Sequence, residues 1–329
     1  VVLNWVSSLY ELYDKNAHFA GKVAQIKKTG AKDQDDTKML ILLPISHSTA
    51  TAQIEVTIDN NGNFIRAEAV DKSDALTIIP VTETSNSRTN KPCPHPLCDN
   101  LKYLAGDYMD LIYTEGKSEG KKEKNFREAY YKPYLEELKK WCSSEFSHPK
   151  ADAILKYLEK SELVKDLICC NVLKPDNEGR ILGKIKIQNV AQTDSFVRFR
   201  VETAYENSSE EILSDDSGKF RSEVWLDQTL HQSFIDYYKF IKQGSSDLCY
   251  LTGGITQTAE FHPKKIRNEG DGTKLISAND SDNFTFRGRF NDKNQAFSIG
   301  YEVSQKAHNA LKWIIRKQGY VRDGLCVVV

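Results

Sequence analysis

Cationic side chains concentrate in a segment near the end of the chain whose composition is typical of a loop. Residues 261–277 read Phe-His-Pro-Lys-Lys-Ile-Arg-Asn-Glu-Gly-Asp-Gly-Thr-Lys-Leu-Ile-Ser. Phosphate groups attract Lys and Arg, whereas Arg and Asn pair with the edges of bases. The segment therefore predicts a nucleic-acid contact, and a solvated loop is the alternative. Its candidate residues are Lys264, Lys265, Arg267, Asn268, Lys274 and, just beyond it, Asn279.

Aromatic and cationic residues alternate over residues 284–290, which read Phe-Thr-Phe-Arg-Gly-Arg-Phe. Arg287 and Arg289 extend the set of candidate phosphate contacts, and aromatic rings such as those of Phe284 and Phe286 can stack on unpaired bases. The same alternation is also typical of a strand whose aromatic side chains face the core. Both interpretations stay open at the level of the sequence.

The predicted helix over residues 298–318 carries charge of one sign. Five cations and no acid occur from Val303 to Arg322. Charge of one sign is unfavourable without an anionic partner, so this helix is a second candidate contact for phosphate. The alternative is a surface helix whose lysine stems cover the core. The secondary candidates on this helix are Lys306, Asn309 and Lys312.

A short polar stretch before a proline-rich turn supplies another candidate contact. Residues 87–91 read Ser-Arg-Thr-Asn-Lys and contribute Arg88, Asn90 and Lys91, which could reach into a groove of DNA. The alternative is a disordered tip. Weaker candidates, on one face of a predicted strand, are Arg198 and Arg200.

Patterns for metal binding and catalysis are weak. Residues 93–98 (Cys-Pro-His-Pro-Leu-Cys) offer potential zinc ligands, but a fourth ligand is missing and the Cys spacing is wide. Residues 116–120 (Gly-Lys-Ser-Glu-Gly) match a nucleophile elbow, yet charged residues follow where that motif needs a hydrophobic helix. Asp110 and Glu119 loosely resemble a metal-nuclease pair within a charged loop. We therefore expect no enzyme, no metal and no cofactor.

Composition limits the class of protein further. The chain has 329 residues with 45 Lys+Arg and 46 Asp+Glu, a net charge of -1 that excludes a wholly basic, histone-like binder but allows a local basic patch. No apolar run is long enough to span a membrane. The seven cysteines, with Cys169 and Cys170 expected to be buried thiols, and the lack of a visible signal peptide favour a reducing cytoplasm.

The elements expected to position these residues come in separate groups of strands and helices. The predicted helices cover residues 2–14, 98–112, 126–143, 149–160, 161–171, 224–241 and 298–318. The predicted strands cover residues 53–58 and 63–70, as a hairpin, and 76–81, 196–201, 248–251 and 325–329. Residues 21–38, 82–96 and 115–124 are expected to be irregular. This pattern predicts an α+β fold with mixed small β-sheets, a central helical region and a long C-terminal helix.

Several blocks of the sequence resemble a known family. They are Leu-Pro-Ile-Ser-His-Ser-Thr at residues 43–49, Lys-Pro-Cys-Pro-His-Pro-Leu-Cys-Asp at 91–99, and the stretches 262–268, 274–280, 284–290 and 300–311. Together they resemble the large subunit of the type I-C CRISPR surveillance complex, Cascade, which is the Cas-eight family, subtype c. The resemblance runs from the first helix to the last strand, apart from the charged stretches 21–38 and 115–128.

The resemblance implies a prokaryotic, cytoplasmic protein beside the subunit that holds the crRNA 5′ handle. Family members read the protospacer-adjacent motif in double-stranded DNA and help to open the duplex, while a recruited helicase-nuclease cleaves it. Members are longer and carry a C-terminal helical bundle. Residues 1–329 are thus expected to be the N-terminal recognition region, with a sub-boundary near 172–195. The implied partners are double-stranded DNA, crRNA-loaded Cascade subunits and a phage-encoded anti-CRISPR inhibitor, but no membrane.

Two other functions stay open on the sequence. In the first, the chain is a scaffold that contacts the crRNA 5′ handle and neighbouring Cas proteins without reading the motif. In the second, weaker one, it is a metal-dependent nuclease that uses residues 107–121. The resemblance does not identify which individual residues read the motif. The candidate DNA contacts named above are therefore chosen by the chemistry of their side chains.

Overall fold

The computed structural model describes residues 2–27, 37–88, 91–111, 126–202, 221–242, 246–267, 272–276, 297–322 and 325–327. The chain forms two compact units: a first unit of Val1–Ser46 with Ile241–Val329, and a second unit of His47–Phe240. The expected sub-boundary at residues 172–195 lies inside the second unit. Both units combine helices and strands, so the predicted α+β class is confirmed.

The elements are given in chain order. The helices are α1 (Val2–Lys15), α2 (Glu83–Ser87), α3 (Leu101–Leu104), α4 (Tyr108–Leu111), α5 (Tyr131–Cys142), α6 (Pro149–Glu159), α7 (Leu163–Cys169), α8 (Gln228–Ile241) and α9 (Tyr301–Gln318). Single 3₁₀ turns cover Ala17–Phe19, Gln192–Asp194 and Val224–Leu226. The strands are β1 (Val23–Lys27), β2 (Thr37–Ile41), β3 (His47–Thr51), β4 (Ile54–Asp59), β5 (Phe64–Ala69), β6 (Leu76–Pro80), β7 (Asp99–Asn100), β8 (Lys186–Ile187), β9 (Val190–Ala191), β10 (Phe196–Glu202), β11 (Ser246–Leu248), β12 (Ile255–Gln257), β13 (Tyr320–Arg322) and β14 (Leu325–Val327).

The core of the first unit lies between α1 and the long α9. Leu9 and Tyr13 of α1 and Ala307 and Leu311 of α9 are buried in one apolar cluster, because residues four apart share a face of a helix. The long C-terminal helix is thereby confirmed. Trp5 follows the same apolar period but is 51% exposed, so the buried face of α1 is narrower than the pattern predicts.

A strand pair of the first unit corrects the prediction of an irregular stretch over residues 21–38. β1 pairs with β2 in antiparallel register, from Val23 opposite Ile41 to Lys27 opposite Thr37. Leu40 of β2 is buried in the core cluster, which fixes the position of β2 and so of the strand that pairs with it. The charged composition between the two strands concealed this partnership in the sequence.

The main sheet of the second unit has the strand order β5-β4-β10-β7. β4 and β5 form the predicted hairpin, and the Asp59 carboxylate caps its turn by accepting the backbone N–H groups of Asn61 and Asn63 at 2.8 Å. β10 lies parallel to β4, so the chain must cross over between them, and it does so through α3 to α7. Helix α6 packs on this sheet and on α5.

Three local expectations in the second unit are wrong. The stretch predicted to be irregular over residues 82–96 begins with α2, because Thr82 and Ser85 cap its first turn reciprocally. The helix expected over residues 98–112 is two short helices, α3 and α4. Cys169, expected to be a buried thiol, is exposed at the end of α7 because that helix turns Leu163 and Leu167 inward.

Candidate nucleic-acid interface

The first candidate surface is the basic segment, which comprises the described residues 262–267 and 272–276 of the first unit. It has no helix or strand, yet two isoleucines anchor it: Ile266 and Ile276 are 7% and 4% exposed and belong to the core cluster. His262 adds a third anchor, since its Nδ1 lies 2.8 Å from the hydroxyl of Ser304 on α9. The segment is therefore fixed on the core on both sides of its cations.

The cations of the basic segment are held close together. Burial and the nearby charge of Lys264 lower the pKa of Lys274. Arg267 is exposed and donates from Nη2 to the Thr273 hydroxyl at 3.1 Å, which links the two described stretches. Lys265 has a φ of 62°. Residues other than glycine seldom adopt this left-handed backbone conformation outside functional or tightly constrained sites. Lys264 and Lys274 therefore lie close enough to repel each other, and an anion bound beside them would offset that repulsion.

Several predicted contacts fall outside the described residues, and the structure gives no account of them. They are Asn90, Asn268, Asn279, Phe284, Phe286, Arg287 and Arg289.

The second candidate surface lies at the predicted tip in the second unit. Arg88 forms a bidentate ion pair with Asp99, in which both hydrogen bonds measure 2.6 Å, and also donates to the carbonyl of Cys93 at 2.8 Å. Its guanidinium lies 4.9 Å from the ring centroid of Tyr103. These contacts engage Arg88 within the fold. Lys91, three residues later, is exposed.

A cavity of about 180 Å³ opens beside this tip. We call it the Arg88 pocket; its lining residues are Arg88, Lys91, Pro92, Asn100, Lys102, Tyr103 and Tyr130. The Lys102 ammonium lies 5.7 Å from the ring centroid of Tyr103 and 5.3 Å from that of Tyr130. Sequence reasoning found Arg88 and Lys91 but missed Lys102, Tyr103 and Tyr130. No local pattern joins Tyr130 to the tip, because only the fold brings the two stretches together.

The three candidate residues of α9 are paired, hydrogen-bonded or buried inside the first unit. Lys306 pairs with Asp14 at 2.7 Å and with Glu302 at 2.6 Å, the residue that directly precedes the acid-free stretch. The buried Asn309 donates its amide to the carbonyls of Leu43 and Pro44 at 3.1 and 3.2 Å. Lys312 is only 3% exposed. The positive charge of Lys306 is therefore balanced by carboxylates of the same unit, and it needs no nucleic acid as a partner.

The family model described as CRISPR-associated protein (Cas_Csd1) matches residues 25–329. The chain belongs to this family. No curated protein matched the chain in a second comparison. The match runs from within β1 to the end of the chain and so includes both the basic segment and the Arg88 pocket. The CRISPR part of the resemblance is confirmed, whereas the subtype and the large-subunit role stay predictions.

Two weaker candidates of this Cas_Csd1 protein lie in the buried sheet. Arg198 is 1% exposed, donates to Glu55 and Asp74, and places its guanidinium 3.8 Å from the ring centroid of Trp225. Arg200 bonds the other oxygen of Glu55 at 2.7 Å. Both arginines pair with Glu55 inside the sheet. This structural role explains their presence, and no contact with DNA is needed to explain it.

Two residues of the zinc-like pattern, His95 and Cys98, are engaged or buried within the second unit. His95 contacts the hydroxyl of Ser85 at 3.0 Å, and burial raises the pKa of the Cys98 thiol to about 12. Within the described ranges, no three His, Cys, Asp or Glu side chains are grouped as metal ligands. Residues 112–125, with the elbow-like pattern, lie outside them. Among the described helices, none is both long and apolar enough to cross a membrane.

Proposed function

We propose that this Cas_Csd1 protein is the large subunit of a type I-C Cascade complex. In that role it recognises the protospacer-adjacent motif in double-stranded DNA and promotes strand opening for crRNA pairing, without catalysing a reaction itself. The observation that carries the proposal is the basic segment, where Lys264, Lys265, Arg267 and Lys274 stand on a stretch anchored by buried isoleucines.

This arrangement suits a protein that must grip duplex phosphates before the strands part. In RNA-guided recognition, base pairing reads most of the sequence, and the protein reads a short motif and the shape of the duplex. A fixed loop of cations loses little conformational entropy when it binds, because its backbone is already ordered. Burial and the charge of Lys264 both lower the pKa of Lys274, and DNA phosphates would relieve the second of these effects. The overall charge of -1 does not oppose this function, because the cations are concentrated locally.

The proposed partners follow from the same role. They are crRNA, the neighbouring Cas proteins of the complex in the cytoplasm, and double-stranded DNA. A phage-encoded anti-CRISPR inhibitor would act most directly by covering the basic segment with acidic side chains.

The test uses the full-length subunit assembled into the crRNA-loaded complex. Affinity for duplexes with and without a candidate motif is measured across salt concentrations, for the wild type and for the triple variant Lys264→Ala/Lys265→Ala/Arg267→Ala. Each lost phosphate contact makes the slope of log K against log salt shallower by about 0.9. We therefore expect weaker binding and a slope shallower by up to about 2.7 units for the triple variant.

A second triple variant, Lys132→Ala/Lys139→Ala/Lys165→Ala, serves as the matched control. It removes the same charge from exposed lysines that pair with glutamates on helices of the second unit. The control should keep the wild-type slope. If the basic-segment variant assembles and binds DNA like the control, the segment is not the DNA contact. If the complex with that variant fails to assemble, the segment is a subunit interface and the scaffold function replaces the proposed one.

A further inference from the structure

The Arg88 pocket has more positive charge than its ion pair requires. Asp99 neutralises Arg88 through the bidentate pair, and the side chain of Asp99 is fully buried. The pocket also contains Lys91 and Lys102, and neither forms an ion pair with a carboxylate anywhere in the described ranges. Two lysines therefore line the same small space, and neither has a carboxylate partner in the part of the chain that is described.

Lys102 is held in place by the rings beneath it. Its ammonium lies over Tyr103 and Tyr130 at 5.7 and 5.3 Å, within the range of cation–π attraction. Tyr103 is itself fixed, since it is 4% exposed and its hydroxyl accepts the backbone N–H of Cys93 at 3.3 Å. A long lysine side chain normally loses much rotamer freedom when it binds a ligand. The two rings remove part of that cost in advance.

The polar wall of the pocket is also ordered before any ligand arrives. Asn100 donates its amide to the carbonyl of Asp194 at 2.6 Å, and its oxygen accepts from Arg88 at 3.4 Å. The Arg88 guanidinium is fixed by Asp99 and the carbonyl of Cys93. Groups held in this way present a constant electrostatic surface, which favours a small anion with several oxygens over a flexible or apolar ligand.

The cavity is large enough for a small anion. Its volume is about 180 Å³, and a water molecule occupies about 30 Å³ of the liquid, so the pocket has room for one tetrahedral phosphate group and part of an attached sugar. It is too small for a duplex. We infer that the Arg88 pocket binds one backbone phosphate of a nucleic-acid strand, with Lys91 and Lys102 as the phosphate ligands. This inference rests on the proposed function for its ligand, but it uses none of the residues of the basic segment.

The test replaces each ammonium separately in the crRNA-loaded complex. Lys102→Met removes the charge and keeps an unbranched side chain over the two tyrosine rings. Lys91→Ala changes an exposed residue, so it tests the pocket even if Lys102→Met fails to fold. The control is Lys165→Met, which removes an exposed lysine that pairs with Glu162. We expect each pocket variant to weaken binding about tenfold, the worth of one charge-assisted contact, and to make the salt slope shallower by about 0.9, while the control changes neither.

Two measurements distinguish the source of the phosphate. Weaker binding of target DNA with normal crRNA loading assigns the phosphate to a DNA strand. Weaker crRNA loading with normal DNA affinity of the complexes that do assemble assigns it to the crRNA. If both pocket variants match the control in both measurements, the inference is overturned.

The inference and the proposed function can fail separately. If the basic-segment variant weakens DNA binding and the pocket variants do not, the proposed function stands and the pocket does not bind phosphate. If only the pocket variants weaken binding, the Arg88 pocket binds a phosphate and the basic segment is not the DNA contact.

Discussion

The guanidinium of Arg88 donates to both carboxylate oxygens of Asp99 through two hydrogen bonds of 2.6 Å. Asp99 also accepts the backbone N–H groups of His95 and Asn100, each at 2.7 Å. The pair thereby ties the end of α2 to the proline-rich turn and to β7. One residue of the predicted DNA-binding tip thus stabilises the fold, whereas its neighbour Lys91 stays exposed in the same pocket.

Replacing Arg88 should lower stability. In Arg88→Ala, the fully buried carboxylate of Asp99 loses its counter-charge. Removing one partner of a buried ion pair costs about 3–5 kcal/mol, and since Arg88 is 20% exposed we expect the free energy of unfolding to fall by about 2–4 kcal/mol. Urea denaturation measures this. Arg66→Ala is the control, because Arg66 forms an exposed pair with Glu202 whose loss should cost less than about 1 kcal/mol. Equal losses would show that the Arg88 pair is not a buried structural one.

Replacing Asn309 should affect the first unit and leave DNA contacts intact. Asn309 is 1% exposed, and its amide satisfies the carbonyls of Leu43 and Pro44. Asn309→Ala leaves both carbonyls without that donor, so we expect a loss of about 2–3 kcal/mol in unfolding free energy. The salt slope of DNA binding by the assembled complex should not change. A shallower slope at normal stability would instead make Asn309 a nucleic-acid contact.

Glu137 should make the second unit less stable as pH rises. Burial raises the pKa of Glu137 to about 7, although the charge of Lys140 opposes this. The unfolded side chain titrates near 4.3, so between pH of about 4.3 and 7 the folded state binds more protons and stability falls with increasing pH. Glu137→Gln removes the charged form. We expect the free energy of unfolding of the variant to exceed that of the wild type by about 1–3 kcal/mol at pH 8. The difference should vanish near pH 4, where the wild-type carboxyl is mostly protonated in both states.

The exposed neighbour of Glu137 provides the control for this experiment. Urea denaturation at several pH values is compared for the wild type, Glu137→Gln and Glu136→Gln. The control variant should follow the pH dependence of the wild type. A wild type with no fall in stability between pH of about 5 and 8 would show that Glu137 is not desolvated in the folded protein.

The turn of the β4–β5 hairpin should tolerate no side chain. Gly62 has a φ of 76°, and a Cβ there would lie 2.7 Å from the carbonyl oxygen of Ala153 and 2.8 Å from the Cβ of Lys156, both on α6. Gly62→Ala should therefore lower the free energy of unfolding by about 2–4 kcal/mol, of which the left-handed backbone accounts for about 1–2. Gly179→Ala is the matched control, since Gly179 has a φ of 78° and open space around it. Equal losses for both variants would mean that the turn does not pack tightly on α6.

The local features of this fold could be predicted because their causes lie within a few residues. The hairpin over residues 54–69 follows from alternating side chains around an Asp-Asn-Asn-Gly turn, and the long α9 follows from its helical apolar period. β1 could not be predicted, because its pairing with β2 depends on a partner across a charged stretch. The exposure of Trp5 could not be predicted either. Its position in the helical apolar pattern did not show whether another part of the fold would pack against it.

The sequence by itself determined the α+β class, the concentration of cations in the basic segment and the resemblance to CRISPR proteins. These depend on residue order and composition. Only the tertiary structure decided which cations have internal partners. Arg88, Arg198 and Lys306 each meet at least one carboxylate that lies between 11 and 292 residues away in the chain. Lys91 and Lys102 instead meet at a polar pocket. The physical reason is that the energy of a charge depends on its burial and its distance from other charges, and folding alone sets both.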